Sequence, residues 1–336
     1  MNDSPSLDTL LALSDGALVG AWRFPVDGPP VPVAPGAVSA ALGVDDGVLW
    51  LHLNLSNARA ADCLAGLRRL PEAAREAFAA RDPSPSLAAC GEGVFATMAD
   101  VAYDTDGDLS DRTVVWAWAD ARLAVTARLH PASCVEALRQ SVREGERIDR
   151  GEAVVARLYD VRGERLRAVV DGLAARLDEL EDAVLDPRLD ARREPLGRLR
   201  LLGARVRRFA ASDRTVLDRF VARPPQGLSR RALERFAAVA ADHAVLLDEI
   251  GELVERAHLL QVELASTVAE DTNRKMAVLS TISAVLMPMT VATGLWGMNT
   301  GGVPGGEDTA GFWWVTVLVI GAGLLTLWLL RRFRLL

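Results

Sequence analysis

The stretch from Met276 to Trp296 reads MAVLSTISAVLMPMTVATGLW and contains no charged residue. A helix of about twenty residues, at 1.5 Å per residue, crosses the roughly 30 Å hydrocarbon core of a bilayer. A second apolar run, from Phe312 to Leu330, follows after a connection too short to hold a domain. The sequence therefore predicts two membrane-spanning helices, 276–296 and 312–330, that form a hairpin around a loop at 297–311.

One face of the first span mixes thioether, hydroxyl and small side chains at steps of three and four residues. It comprises Met276, Leu279, Ser283, Met287, Thr290 and Gly294. A face turned to lipid would be expected to carry Leu, Ile and Val throughout. We therefore interpret this face as turned to neighbouring helices or to water.

The charges that flank the two spans predict their orientation. Basic residues lie next to the spans on the side of the chain ends: Arg274, Lys275, Arg331, Arg332 and Arg334. The connecting loop has no Lys or Arg and carries Glu307 and Asp308. The positive-inside rule then places both termini and the basic tail 331–336 in the cytoplasm and the loop outside. The N-terminal residues lack a basic leader, so no signal peptide is expected.

The chain before the membrane spans has the composition of a soluble cytoplasmic protein. The 336 residues carry a formal net charge of −7, which argues against nucleic acid as a partner. Residues 1–150 alternate short apolar runs with helical segments, and this predicts an α+β domain. The predicted strands are Ala17–Phe24, Val48–Leu53, Val94–Ala102, Val114–Ala119 and Leu123–Ala127.

Residues 151–275 predict a helical stalk region. An acidic helix, Glu152–Leu185, precedes an arginine-rich one, Ala191–Val221, and the two are expected to pack in antiparallel fashion partly through charge. A third helix is predicted to start at about Ser229 and to continue without a break to Trp296. It carries an apolar seam with alternating steps of three and four: Leu233, Phe236, Ala240, His243, Leu247, Ile250, Val254, Ala257, Gln261, Leu264 and Val268. We expect several copies of the chain to bury this seam together, with His243 and Gln261 fixing the register.

The turn after the first span offers neutral oxygens. It begins Gly297-Met298-Asn299, and glycines on both sides of it permit tight backbone turns. Amide and carbonyl oxygens can replace outer-shell waters of a divalent cation that gives up its inner waters reluctantly. Glu307 and Asp308 would raise the cation concentration at the outer mouth.

These features resemble the CorA superfamily of metal-ion transporters. The resemblance rests on Gly297-Met298-Asn299 between two C-terminal spans, on Asn273 and on the Met287-Pro288 step. The following segment 300–305 looks most like the zinc-transporting ZntB branch. The resemblance implies a CorA-like homopentameric funnel, with an α+β cytoplasmic domain, long stalk helices and a two-helix transmembrane hairpin. It implies a selectivity filter at Gly297, Met298 and Asn299, with Asn299 contacting the hydrated metal, and a pore lined by Asn273 and the mixed face of the first span.

The expected function is transport of divalent cations across the inner membrane, Zn²⁺ foremost, with proton coupling allowed by the family. Mg²⁺, Co²⁺, Ni²⁺ and Cd²⁺ are other candidate cargoes, and a CorA-type Mg²⁺, Co²⁺ or Ni²⁺ channel is the alternative. A membrane-anchored coiled-coil scaffold is an alternative of another class. No resident cofactor and no enzymatic activity are expected, because the sequence has no Gly-rich phosphate loop, G-x-S-x-G or H-E-x-x-H motif. The expected partners are further copies of the chain, the metal ion and the lipid bilayer.

Overall fold

The computed structural model describes residues 16–44, 46–103, 109–182, 193–298 and 310–332. The chain divides into two compact units. The first extends to Leu259, and the second contains the chain from Leu260 onward. We describe each unit by itself.

The first unit contains one sheet. Its strands are β1 (Leu18–Phe24), β2 (Val31–Pro32), β3 (Val48–Asn54), β4 (Ser86–Cys90), β5 (Gly93–Tyr103), β6 (Leu109–Ala119) and β7 (Leu123–Arg128). Their order is β2-β1-β3-β7-β6-β5-β4, and β3 and β7 are parallel whereas the other neighbours are antiparallel. Each of the strands expected from the sequence is present. The two edge strands β2 and β4 were not predicted.

Helices cover both faces of the sheet. The short helices are α1 (Val38–Leu42), α2 (Ala60–Gly66), α3 (Glu72–Ala80) and α4 (Ser133–Arg143). Side chains alternate between the two faces of a strand, so Trp50 of β3 joins one apolar core while Leu49 and Leu51 join the other. The helices α2 and α3 contribute to the core that contains Leu51. The opposite core contains residues of α4 and of the long helices that follow.

Four long helices complete the chain: α5 (Gly151–Asp182), α6 (Arg193–Ala222), α7 (Arg230–Trp296) and α8 (Gly311–Arg332). The hydroxyl of Ser229 accepts a hydrogen bond from the backbone N–H of Ala232 at 3.1 Å, which caps α7 as its residue type predicts. The 67 residues of α7 form one uninterrupted helix, about 100 Å long at 1.5 Å per residue. The predicted fold class, an α+β domain followed by long helices and a C-terminal pair of apolar helices, is confirmed.

The apolar seam of α7 is buried within its own chain, which corrects the sequence-based expectation. Phe236 meets Phe220 of α6 edge to face, with ring centroids 4.8 Å apart. A Cβ placed on Gly203 of α6 would lie 2.9 Å from Val254 Cγ2. Phe236, Ala240, His243, Ile250 and Ala257 are buried as expected, whereas Leu246 and Leu253 are buried in place of their half-buried neighbours Leu247 and Val254. Because α5 and α6 cover the seam between Phe236 and Ala257, burying this part of it does not require other copies, and the buried His243 does not fix a register between copies.

The charges of the helices also pair differently from the expectation. The acidic end of α5 binds α7, because Arg256 donates to Asp178 at 2.8 Å and to Glu181 at 2.6 Å. Between α5 and α6 the ion pair is instead a buried one, Arg162 with Asp213, at 2.6 Å. Within the described residues, the packing of α5 against α6 therefore involves apolar burial and the internal pair of Arg162 and Asp213.

Replacing Phe236 by Ala should destabilise the first unit. Removing a fully buried aromatic ring costs about 3–5 kcal/mol, which corresponds to a thermal midpoint lower by roughly 6–20 °C. The midpoint can be followed in the full-length protein with a thiol-reactive dye, because Cys63 and Cys134 are buried until the chain unfolds. Val245→Ala, on an exposed position of the same helix, is the control, and an equal shift in both variants would contradict the assigned packing.

Candidate functional site

Two helices of the described residues are long and apolar enough to cross a membrane, α7 in its C-terminal part and α8. Both spans lie in the second compact unit. The residues of the predicted first span carry no charge, and α8 ends with Arg331 and Arg332. Phe312, Trp313 and Trp314 at the opposite end of α8 are largely exposed, as expected for aromatic side chains at a membrane interface.

The two spans pack against each other through small residues. Gly323 of α8 is buried, and a Cβ placed on it would lie 3.0 Å from Met289 Sδ of α7. Ala292, one helical turn beyond Met289, is also buried. Small residues at this contact let the two backbones approach closely, which is how helices associate in lipid. The predicted hairpin is therefore a packed pair, and its contact defines one face of α7.

The mixed face predicted from the sequence lies on the opposite side of α7. At about 100° per residue, Ser283, Thr290 and Gly294 lie roughly 180° from Ala292. All members of the face are exposed in the single chain, including Met276 at 58%, Leu279 at 59% and Met287 at 69%. Asn273, one turn before Met276, is exposed as well. The chain itself therefore leaves this face of α7 uncovered.

The hydroxyl groups on the mixed face keep free lone pairs. Ser283 donates to the carbonyl of Leu279 at 2.9 Å, and Thr290 donates to the carbonyl of Leu286 at 2.9 Å. Each hydroxyl donates its hydrogen to a backbone carbonyl of the helix, and its oxygen can still accept a hydrogen bond. These oxygens can accept hydrogen bonds from the water shell of a cation.

The turn that ends α7 begins at Gly297. Its backbone N–H donates to the carbonyl of Thr293 at 2.9 Å, and a Cβ placed on Gly297 would lie 3.0 Å from that oxygen. Met298 is exposed. Asn299, which provides the amide of the predicted filter, lies outside the described residues, as do Glu307 and Asp308 of the predicted outer mouth.

No group of three or more His, Cys, Asp or Glu side chains within the described ranges is arranged to hold a metal ion. The oxygens that the described part of the first span presents on its mixed face are therefore neutral. Neutral oxygens and thioethers bind a divalent cation weakly compared with carboxylates or imidazoles, which suits passage better than retention.

Sequence reasoning missed a buried polar cluster in the first unit. Arg162 of α5 donates to Asp213 of α6, and His243 of α7 lies beside them. All three residues are at most 3% exposed. One feature of the sequence could have revealed this cluster, because Asp213 lies in an otherwise apolar stripe of α6. The apolar members of the stripe are Leu196, Leu199, Val206, Ala210, Leu217 and Phe220.

Comparison with known proteins agrees with this architecture. A family model described as CorA-like Mg²⁺ transporter protein matches residues 45–332. The zinc transport protein ZntB of Klebsiella pneumoniae is 28% identical over 286 residues, covering 84% of this chain and 86% of the relative. The divalent cation transporter CmaX of Pseudomonas aeruginosa is 28% identical over 296 residues, covering 85% of this chain and 87% of the relative.

Solved structures share the fold. The structure of full-length CmaX superposes with a TM-score of 0.80 at 24% identity, covering 95% of this chain and 98% of that one. The CorA magnesium transporter of Methanocaldococcus jannaschii superposes with a TM-score of 0.74 at 16% identity, covering 93% and 97%. The family model that matches residues 45–332 confirms the resemblance to the CorA superfamily that the sequence motifs indicated, and the solved structures show that the fold is shared.

Gly323→Leu should weaken the contact between the two spans. The new side chain would enter the space of Met289, and overpacking of this kind costs about 1–3 kcal/mol. We expect Gly323→Leu to lower the temperature at which the purified protein loses its elution peak in fluorescence-detected size-exclusion chromatography. Gly321→Leu is the matched control, since a Cβ at Gly321 meets nothing within 4 Å. Equal behaviour of the two variants would refute the assigned contact.

Proposed function

The chain belongs to the CorA-like Mg²⁺ transporter protein family and is a divalent-cation transporter, and from this premise we propose that it conducts Zn²⁺ through a pore lined by α7. The observation that carries the proposal is the uncovered mixed face of α7, on the side of the helix opposite its contact with α8. Its exposed side chains are thioethers, hydroxyls, glycine and one leucine.

A pore of this kind requires several copies of the chain. One pair of membrane helices cannot enclose a water-filled path, and an uncovered face with hydroxyl groups has no favourable partner in lipid. Both conditions are met if each copy turns the mixed face of α7 to a common axis. We propose a homopentamer, the assembly implied by the resemblance to the superfamily, in which Met276, Leu279 and Met287 form apolar rings that close the pore by dewetting.

The cation would enter at the turn that follows α7. We propose that Gly297, Met298 and Asn299 form the selectivity filter, with the Asn299 amide contacting the ion through its water shell. Glu307 and Asp308 would concentrate cations at the outer mouth. We propose that the protein lies in the inner membrane with both termini in the cytoplasm. Basic residues at the other end of the spans, such as Arg274 and Arg331, support this orientation.

Zn²⁺ is the proposed cargo because the loop at 300–305 resembles the zinc-transporting branch and because ZntB is among the relatives at 28% identity. Mg²⁺ is the second candidate, since the family description and the structurally similar CorA name it. Uptake of each ion into proteoliposomes, alone and in competition, with and without a pH gradient, separates the two cargoes and tests proton coupling. Zn²⁺ flux that is unaffected by excess Mg²⁺ is expected; Mg²⁺ flux without Zn²⁺ flux would contradict the choice of zinc.

Thr290→Val should reduce cation flux by at least about tenfold. The substitution keeps the shape of the side chain but removes the oxygen that would accept from the water shell of the ion. A hydrogen bond of this kind contributes about 0.5–1.5 kcal/mol, and each copy around the pore loses one. The control is Thr281→Val, because Thr281 is half-buried on the side of α7 that packs against α8. A flux that falls equally in both variants, or in neither, would argue against a pore lined by the mixed face.

Asn299→Ala should abolish selective flux if the turn is the filter. The amide is then absent at the point where the hydrated ion enters, while the helices on either side are unchanged. The measurement is initial Zn²⁺ uptake into proteoliposomes, normalised to reconstituted protein that elutes as an intact assembly. Uptake at the rate of the unsubstituted protein would show the filter assignment to be wrong.

A further inference from the structure

The buried cluster of Arg162, Asp213 and His243 leaves two polar atoms facing each other without a partner. Arg162 Nη1 donates to Asp213 Oδ1 at 2.6 Å, so one carboxylate oxygen is satisfied. Asp213 Oδ2 and His243 Nε2 are 3.8 Å apart, too far for a hydrogen bond, and neither atom has another partner among the residues that the structure describes. Both residues are only 1% exposed. Unpaired buried polar atoms are costly, so their retention side by side calls for a physical reason.

The other ring nitrogen of His243 determines which form of the ring is present. Nδ1 lies 3.0 Å from the carbonyl oxygen of Val239, which can only accept a hydrogen bond. Nδ1 must therefore carry the hydrogen, and in the neutral ring Nε2 is left with a lone pair. That lone pair points toward a carboxylate oxygen, which also has only lone pairs to offer. A single proton placed between the two atoms would convert this repulsive arrangement into a charge-assisted hydrogen bond.

The charges around the pair are defined by each element that packs there. On α5, Arg162 lies against Asp213, Tyr159 is buried nearby, and Asp160 acts on His243 from the same helix. Asp100 of β5 and Cys134 of α4 complete the surroundings of Arg162. Asp100 accepts hydrogen bonds from the Ser133 hydroxyl and from the Cys134 backbone N–H at 2.9 and 3.0 Å. Burial raises the pKa values of the Tyr159 hydroxyl and the Cys134 thiol, so neither group adds a charge.

The glycine at position 163 makes room for the ring. A Cβ placed on Gly163 would lie 3.0 Å from His243 Cε1, so the imidazole occupies a space that only a glycine on α5 leaves open. The ring is therefore held between α5 and α6. A small shift of α7 relative to α6 would be sufficient to bring Nε2 and Oδ2 into hydrogen-bond distance.

We propose that Asp213 and His243 form a proton-binding site that switches the contact between α6 and α7 from an unpaired state at neutral pH to a hydrogen-bonded state on mild acidification. Desolvation raises the pKa of Asp213 above its ordinary 3.8 and lowers the pKa of His243 below its ordinary 6.5. Because the two groups interact, the first proton binds to the pair and belongs to neither residue alone. Because α7 continues without interruption to Trp296, the switch acts on the helix that enters the membrane, whichever cation the protein carries.

The sign of the resulting pH dependence follows from the lowered pKa of His243. As the pH falls through 6.5, the unfolded chain binds a proton on this histidine before the folded chain does. Stability is therefore lost as the pH falls, and the loss ends once the folded pair has bound its own proton. For one proton the unfolding equilibrium constant rises by up to about tenfold per pH unit within this window. His243→Gln, which supplies a permanent N–H donor, should remove this contribution, whereas His258→Gln on an exposed position of the same helix should retain it.

Nitrogen NMR of the full-length protein in bilayers, with ring-labelled histidine, tests the site directly. The chain has four histidines, and a double variant, His130→Gln with His258→Gln, removes the two exposed ones and leaves the buried cluster intact. His52 serves as an internal reference, because burial and nearby arginines lower its pKa to about 3. We expect the second histidine to show the Nδ1–H form at pH 7.5 and, on acidification, a change in its Nε2 signal as this nitrogen gains a hydrogen bond to Asp213.

Three outcomes would overturn the proposal. An Nε2–H form at pH 7.5, an imidazolium already present at pH 7.5, or an Nε2 signal that does not change on acidification before the protein unfolds would each mean that no proton switch exists here. Thermal midpoints of the wild-type, His243→Gln and His258→Gln proteins between pH 7.5 and 5.5 provide the second measurement. An unchanged pH dependence in His243→Gln would likewise refute the site.

Discussion

The central constraint of this protein is that a single continuous helix, α7, packs against α5 and α6 in its N-terminal part and crosses the membrane in its C-terminal part. In lipid, backbone N–H and C=O groups must find partners, which favours a continuous helix across the membrane. Pro288 lies within α7 and has no N–H to donate, so one carbonyl there must be satisfied by another group. In its N-terminal part the apolar side chains of α7 are covered by α5 and α6. In its membrane part only one face is covered, by α8 through Gly323 and Met289. The uncovered surface includes the mixed face, with its hydroxyl and thioether groups, beside aliphatic side chains such as Ile282 and Leu286.

The two parts of α7 therefore have different roles. The covered N-terminal part contributes to stability, and the uncovered face of the membrane part is the one assigned to the proposed function. Burial of Phe236 and its neighbours stabilises the first unit within one chain. The mixed face around Ser283 and Thr290 is exposed and takes no part in that burial; in the proposed function it lines the pore once other copies surround it. A scaffold would have no need for a membrane helix with an uncovered face of this chemistry, so the family membership and the geometry lead to the same interpretation.

Much of this could be predicted from the sequence, because the strongest signals are local. Hydropathy and length identified both spans, and periods of two and of three to four residues identified strands and helices. The mixed face of α7 was also readable, since its members repeat at helical spacing. What could not be predicted was what covers each face. The seam of α7 could be covered equally well by other copies of the chain or by helices of the same chain. Periodicity shows that one face of a helix is buried, but it does not show which element covers that face.

The same limit explains the errors about individual residues. His243 was interpreted as a register device between copies, although Asp213 and Arg162 lie far from it in sequence and only the fold brings the three together. The acidic end of α5 was assigned to the arginines of α6, yet the partner is Arg256 of α7. The edge strands β2 and β4 are short and bounded by turns, so their apolar pattern is too brief to stand out.

Electron cryomicroscopy of the purified protein in lipid nanodiscs tests the central claim most directly. The account predicts several copies around one axis, with Ser283, Met287, Thr290 and Gly294 of each α7 facing a central path that contains water on the hydroxyl side chains. An assembly in which these residues face lipid, or in which α8 lies nearest the axis, would contradict it.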